Sequence, residues 1–241
     1  LLSWIKLGHN ISSDVKMYAD KYTFNDIFEA KTEEETGGRT PAGFKAVKVG
    51  HKYGVEYLKL KPGMRKVAAA LEPRRLAAYL GATTEFNKME GVTFNEADKK
   101  LYMAISYIKD GMLSDDSFRD DIKLKKNNCG GTYEIALSKA QKDQYGMTIE
   151  SDFVATSMMV PSGLLGQPIA TDANGNTCAV DSVANTDNVF FSEKMRTLFI
   201  GEDSGTHTNN FLWAYNVDSK KLSRLLSLPA GAESTGLQVV E

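Results

Sequence analysis

Over most of the chain, short apolar runs alternate with polar turns, the pattern of β-hairpins. Pairs of such runs flank short turns and predict hairpins over residues 91–106, 188–202 and 211–228. Two further runs, 132–137 and 152–159, predict additional strands. Many short strands with regular turns are typical of an all-β sandwich, barrel or propeller.

The first part of the chain has a different pattern. Residues 44–51 and 54–60 alternate weakly between apolar and polar positions and predict two strands. Residues 62–80 are rich in helix formers, with Pro73 as an interruption and Gly81 as a stop. We therefore expect helical and irregular insertions near the N-terminal part.

An internal repeat narrows the choice of fold. Residues 90–104 align without a gap on residues 187–201, and an acid, Glu90 or Asp187, starts each copy. The further matches are Val92 with Val189, Phe94 with Phe191, Glu96 with Glu193, and Leu101 with Leu198. A third acid, Glu233, begins another strand-like run four predicted strands after Asp187. Four-stranded units that restart with a shared motif are typical of propeller blades.

We therefore predict a mainly β fold, a partial β-propeller in a single domain over residues 1–241. Residues 1–86 would form its insertion-rich, partly helical segment, and residues 87–241 would supply the strands of the blades.

The repeated acids are the candidate functional residues. The first strand of each propeller blade borders the central channel, so we expect Glu90, Asp187 and Glu233 to converge there. Carboxylates held close together repel and stay ionised only if cations neutralise them. Oxygen ligands of this kind suit hard ions such as calcium or ferric iron. Glu202 and Asp203, at the end of a predicted strand, would add ligands. The alternative is that these acids face water, as most Asp and Glu do.

Two other acidic stretches have simpler interpretations. Asp172-Ala-Asn-Gly-Asn176 resembles the start of a calcium loop, but Asp181 stands where the loop's Glu would fall, and a turn is the competing interpretation. The stretch from Asp115 to Asp121 predicts a solvated charged loop.

Composition excludes several classes of protein. A net charge of −2 with mixed signs gives no electrostatic reason to expect nucleic acid as a partner. No run approaches the ~20 apolar residues needed to span a bilayer, and no signal peptide is visible. The three histidines, His9, His51 and His207, lack metal-ligand spacing. The sequence starts without Met and stops inside a strand-like run, so we expect a segment of a longer protein.

Blocks spread over nearly the whole chain carry a family resemblance: 4–9, 58–64, 72–86, 88–92, 128–134, 175–189, 201–205 and 229–236. Together they resemble the middle of bacterial PhoX-type alkaline phosphatases. The resemblance implies a six-bladed propeller that hydrolyses phosphate monoesters at its channel mouth. It also implies two oxo-bridged ferric ions, several calcium ions, and export to the periplasm or the extracellular space when phosphate is scarce.

The resemblance assigns roles to particular residues. Glu90 resembles a metal-ligand glutamate of the family, and Glu233 matches the acid of its Glu-x-Thr-Gly block. Lys88 lies where some members have a substrate-contacting Arg, which makes it the candidate catalytic residue. Cys129 is not equated with the family's iron-ligating cysteine, because the Thr-Pro-Trp-Gly that follows that cysteine is missing here. The remaining ligands would come from blades of the same parent chain that this sequence does not contain.

The resemblance also bears on the two cysteines, Cys129 and Cys178. An exported protein in which each cysteine lies near an Asn-rich turn favours a disulfide between them. Two free or buried thiols are the alternative, because connectivity cannot be deduced from sequence.

The leading functional hypothesis is metal-assisted phosphoryl transfer on a small phosphate ester. The alternatives are a non-catalytic calcium-binding propeller that binds a partner protein, and a lactonase-like hydrolase with calcium in its channel.

The family resemblance predicts that the 241-residue chain alone has little or no phosphatase activity. A propeller closes only when its last blade meets its first, so missing blades leave the metal site incomplete. Hydrolysis of p-nitrophenyl phosphate by the purified chain measures this, and robust turnover would contradict the fragment hypothesis.

Overall fold

The computed structural model describes residues 1–114 and 120–240, and its chain divides into two compact units. One unit is formed mainly by Trp4–Glu85 and the other mainly by the residues from Phe86 onward. The architecture is mainly β, with three antiparallel sheets and few helices, which confirms the predicted fold class at that level. None of the three sheets closes on itself within the described residues. Asp115 and Asp116, from the acidic stretch, lie outside the described residues.

The smaller unit combines a three-stranded antiparallel sheet with short helices. Its helices are α1 (Ser12–Lys21), α2 (Phe24–Ile27), α3 (Glu33–Thr36), α4 (Arg65–Leu71) and α5 (Pro73–Leu80). Its strands are β1 (Phe28–Thr32), β2 (Lys45–Val47) and β3 (Glu56–Leu60), in the order β1-β3-β2. Pro73 ends α4 and occupies the first turn of α5, where its missing N–H costs no hydrogen bond. β1 was not expected from the sequence, because only Phe28 of its five residues is buried.

The core of the smaller unit explains why its elements hold together. Its buried members are Ile27, Phe28, Val47, Leu58, Val67, Ala68 and Leu76. They come from β1, β2, β3 and the helices α2, α4 and α5, so the sheet and helices bury apolar surface against one another.

The larger unit contains two four-stranded sheets, each built from consecutive antiparallel strands. The first sheet is β4 (Met89–Asn95), β5 (Lys100–Ile105), β6 (Gly131–Ser138) and β7 (Val154–Met159). The second is β8 (Thr186–Ser192), β9 (Thr197–Glu202), β10 (Asn209–Asn216) and β11 (Lys221–Ala230). Single 3₁₀ turns lie at Asp110–Met112 and Ser162–Leu164.

The internal sequence repeat reappears in the backbone of the two sheets. Phe94 pairs with Leu101, and the aligned Phe191 pairs with Leu198. The ladder is interrupted between Met89 and Val92 in β4, and at the aligned positions Thr186 and Val189 in β8. Left-handed residues stand at aligned positions as well: Lys88 with Asn185, and Lys99 with Arg196. The two hairpins therefore share their register, their irregularity and their turn geometry.

The two sheets pack with their first strands side by side. The Phe191 N–H donates to the Thr93 hydroxyl at 3.0 Å, which joins β8 to β4. Gly91 permits this approach, because an added Cβ would lie 2.6 Å from the carbonyl oxygen of Asp187. The Tyr102 and Phe191 rings lie 5.8 Å apart in the apolar core between the sheets.

The other face of the first sheet is exposed at positions whose aligned counterparts in the second sheet are buried. Val92 is 52% exposed, whereas the aligned Val189 is 9% exposed. Phe94 is 38% exposed, whereas Phe191 is 5% exposed. Val189 and Phe191 belong to the core between the two sheets. Val92 and Phe94 lie on the opposite face of the first sheet, where the Phe94 ring meets the Phe153 ring edge-on at 5.3 Å.

A disulfide between Cys129 and Cys178 crosses the larger unit. Both cysteines are fully buried and pack with Ala184. The bond ties the loop before β6 to the segment that leads into β8. It therefore fixes the entry to the second sheet against the first sheet.

We predict that replacing both cysteines, Cys129→Ala with Cys178→Ala, lowers the free energy of unfolding by roughly 4 kcal/mol. The bond closes a loop with a sequence separation of 49 residues, and the chain-entropy account gives this magnitude for a loop of that size. Urea denaturation of the variant and the wild type measures the difference. Thiol titration of the denatured wild type should detect no free thiol, and two reactive thiols would contradict the bond.

Candidate functional site

Backbone geometry places the three repeated acids at equivalent positions. Glu90 and Asp187 each follow a left-handed residue by two positions, Lys88 (φ 49°) and Asn185 (φ 42°). Glu233 follows Gly231 (φ 75°) by the same two positions. The left-handed residue changes the direction of the chain before the following segment, so each acid lies just past a turn.

The segment around Glu233 lies next to the second sheet. The Ser234 N–H donates to the backbone carbonyl of Glu202 at 2.8 Å, at the end of β9. The Gly236 N–H donates to the side-chain oxygen of Asn188 on β8. Glu233 is thereby held beside the start of β8.

The Asp187 carboxyl interacts electrostatically with the other predicted acids. Burial raises the pKa of the Asp187 carboxyl, and repulsion from Glu90, Asp203 and Glu233 raises it further. Lys88 acts in the opposite direction. Glu90, Asp203 and Glu233 are therefore within electrostatic reach of Asp187, and we call these four acids the acidic group.

Lys88 is the cation within this acidic group. Its ammonium forms an ion pair and a hydrogen bond with the Glu90 carboxylate. That hydrogen bond raises the pKa of Lys88, and the charges of Glu90, Asp203 and Asp187 add to the effect. Three carboxylates around one lysine leave an excess of negative charge at the start of the strands.

Glu202, by contrast, belongs to the core. Its side chain is fully buried, and one oxygen accepts from Ala184 N at 2.9 Å and from Trp213 Nε1 at 2.7 Å. The other oxygen lies 3.0 Å from Phe211 N and 3.0 Å from His207 Nδ1. Four partners satisfy the acceptor positions of a carboxylate, so we assign Glu202 to the core and not to the acidic group.

The resemblance implies calcium and ferric iron as the metals of such a site. The acidic group offers only oxygen donors, which suit calcium. Both cysteines are in the disulfide, so the chain has no free thiolate to offer iron. Within residues 1–114 and 120–240, no group of three or more His, Cys, Asp or Glu side chains is already arranged to hold a metal ion. Carboxylate oxygens are hard donors, so the donor chemistry of the group suits both calcium and ferric iron.

Asn185 is a residue of this site that the sequence reasoning missed. It is 7% exposed and makes hydrogen bonds through both its side chain and its backbone. A signal existed in the repeat, because Asn185 aligns with Lys88 when the alignment is extended two residues towards the N-terminus. Asparagine is also among the few residues that adopt the left-handed region readily.

Asp172 belongs to a local turn. One of its carboxylate oxygens accepts from the N–H groups of Asn174 and Asn176, each at 2.8 Å, and the other accepts from Asn176 Nδ2. These hydrogen bonds lower the pKa of Asp172.

Comparison with known proteins gives no match: no family model fits the chain, and no curated protein or solved structure is significantly similar to it. In the described part of the chain, no helix has both the length and the hydrophobicity that a membrane crossing requires.

We predict that Asp187→Asn raises the midpoint of thermal unfolding at pH 7. The folded-state pKa of Asp187 is raised, so the fold disfavours its ionised form. That penalty is absent well below pH 3.8, the ordinary pKa of this carboxyl, grows as pH rises from there to the folded-state pKa, and is complete above it. The gain from Asp187→Asn should therefore be present at pH 7 and should vanish at pH 3.

Asp172→Asn is the matched control of opposite sign. The pKa of Asp172 is lowered, so its stabilising contribution is present above pH 3.8 and is lost as pH falls through the folded-state value. Asp172→Asn should lower the midpoint at pH 7. A loss of stability in Asp187→Asn at pH 7 would contradict the repulsion described here.

Proposed function

We propose that this chain is part of a secreted β-propeller of the PhoX type, a calcium-dependent phosphate monoester hydrolase that acts in the periplasm or outside the cell. The resemblance of the sequence blocks to that family motivates the substrate class. The single structural observation that carries the proposal is the convergence of repeated carboxylates at the start of stacked, repeated sheets.

The arrangement of the larger unit supports the propeller part of the proposal. Each sheet is a meander of four consecutive strands, and β4 and β8 lie side by side as first strands do around a propeller axis. The segment that begins at Glu233 contacts the end of β9 and would start a third blade.

The exposed apolar face of the first sheet supports the presence of further blades. Val92 and Phe94 occupy the positions that Val189 and Phe191 use to pack on the preceding sheet. A blade that precedes β4 would cover Val92 and Phe94 in the same way. In the proposed propeller, the partner of this face would be another sheet of the parent chain.

The residues of the acidic group have defined parts in such a site. Glu90, Asp187, Asp203 and Glu233 would hold calcium, and their mutual repulsion favours a divalent cation at their centre. Glu90 would have to exchange its ion pair with Lys88 for the metal. The freed Lys88 ammonium would then donate to a phosphate oxygen of the substrate. Bound calcium would supply charge neutralisation for a phosphoryl group that its own carboxylates repel.

Calcium binding tests the proposal on the chain itself. We expect millimolar calcium to raise the thermal midpoint of the wild type and EDTA to reverse the change, because calcium binds the folded form and not the unfolded one. Glu90→Gln and Asp187→Asn should each weaken calcium binding by at least about tenfold, a loss found even for outer partners of metal ligands. Calorimetric titration with calcium chloride measures the affinities.

Glu193→Gln is the matched control. Glu193 lies just beyond the opposite end of β8 and is an exposed carboxylate beside Arg196. It should bind calcium like the wild type. No calcium response in the wild type, or a response equal in all four proteins, would overturn the acidic group as the metal site.

The type of reaction is tested on the parent protein that contains this chain. Hydrolysis of p-nitrophenyl phosphate that stops with chelator would support the phosphatase. Hydrolysis of a lactone alone, or calcium binding without any hydrolysis, would support the rival functions in its place.

A further inference from the structure

Asn185 connects three loops beside the acidic group, those that contain Ser106, Asn128 and Ser204. Its side-chain Nδ2 donates to the carbonyl oxygens of Ser106 at 2.7 Å and of Asn128 at 2.9 Å. Its Oδ1 accepts from the hydroxyls of Ser204 at 2.7 Å and of Thr206 at 2.8 Å. Both donors and both acceptor positions of the amide are thus used, and all four partners lie in loops outside its own segment.

The backbone of Asn185 makes a second set of contacts. Its N–H donates to the carbonyl of Cys129 at 2.8 Å, beside the disulfide. Its carbonyl accepts from the Asp203 N–H at 3.2 Å. Asn185 is therefore bonded directly to Asp203, one member of the acidic group.

The chain between Asn185 and Asp187 is also fixed. Thr186 is fully buried, and its hydroxyl donates to the Gly131 carbonyl at 3.0 Å. The Ser106 hydroxyl donates in turn to the Thr186 carbonyl at 3.1 Å. The left-handed conformation of Asn185 and the two bonds of Thr186 leave Asp187 little freedom in where it lies.

We propose that Asn185 is a positioning residue that fixes Asp187 and Asp203 relative to one another. The inference deepens the proposed function, since these are two of its calcium ligands. Asparagine suits the role, because it tolerates the left-handed region and its amide supplies two donors and two acceptors. An aspartate would turn the two donors into acceptors facing the Ser106 and Asn128 carbonyls.

The charge coupling between Asp187 and Asp203 tests the proposal without any metal. Asp187→Asn, Asp203→Asn and the double variant are compared by urea denaturation at pH 7 and low salt. In the wild-type background each single change removes the same repulsion. The double variant should therefore gain less free energy of unfolding than the two single variants gain together. With Asn185→Gly present, which keeps the left-handed backbone available, the two gains should become additive.

A merely stabilising Asn185 would give a different result. It would lower the stability of all four proteins equally and leave the coupling between the two carboxylates unchanged. That outcome would overturn the proposal.

Asn176→Gly is the matched control. Asn176 is 5% exposed and is held by Asp172 and Thr208, neither of which belongs to the acidic group. Its loss should destabilise the protein and preserve the coupling.

If Asn185→Gly does not fold, Thr206→Val replaces it, because this change removes a single donor to Asn185 Oδ1 and preserves side-chain shape. Thr206→Val should then reduce the coupling by a measurable part, and an unchanged coupling would contradict the proposal.

Calcium binding by Asn185→Gly separates this inference from the proposed function. If the wild type binds calcium, Asn185→Gly should bind about tenfold more weakly, the scale of loss for an outer partner of a ligand, and Asn176→Gly should not. If the wild type binds no calcium, the proposed function fails, and the coupling measurement alone decides the role of Asn185.

Discussion

The close approach of β8 to β4 is the constraint on which the larger unit depends. It requires a residue without a side chain at Gly91, where a Cβ would meet the Asp187 carbonyl. Once the strands are side by side, the apolar residues between the sheets are buried, and the core of the unit forms there. The same approach brings Asp187 within electrostatic reach of Glu90.

The packing therefore has an electrostatic consequence. Stacking repeated units in register places equivalent residues next to one another, and here the equivalent residues are acids. The fold offsets part of the repulsion with Lys88, which is itself the residue of the first repeat that stands where Asn185 stands in the second. One repeated backbone position thus supplies a counter-charge in one copy and a hydrogen-bonding amide in the next. Such divergence at an equivalent position is how a repeated fold builds one asymmetric site.

Glu202, in the second sheet, is a buried carboxylate whose oxygens are satisfied by hydrogen bonds and not by a neighbouring lysine. Glu202 is as buried as any apolar residue of the core, and its carboxylate is held there by a backbone N–H from Ala184, another from Phe211, the Trp213 indole and the His207 ring. Removing one donor would leave one acceptor position of a buried carboxylate oxygen unfilled. Glu202 and Asp203 are adjacent in sequence and yet belong to different environments, because successive residues at the end of a strand point to opposite sides.

The sequence by itself determined the strand pattern, the helix interrupted at Pro73, and the equivalence of Glu90, Asp187 and Glu233. These follow from local periodicity and from repetition, which a single chain displays directly. It favoured the bond between Cys129 and Cys178 only through the family resemblance, and it could not separate Glu202 from Asp203 or give the hydrogen-bond partners of Asn185. Those depend on which loops meet after the sheets have packed, and contacts between residues far apart in sequence are decided only by the tertiary structure.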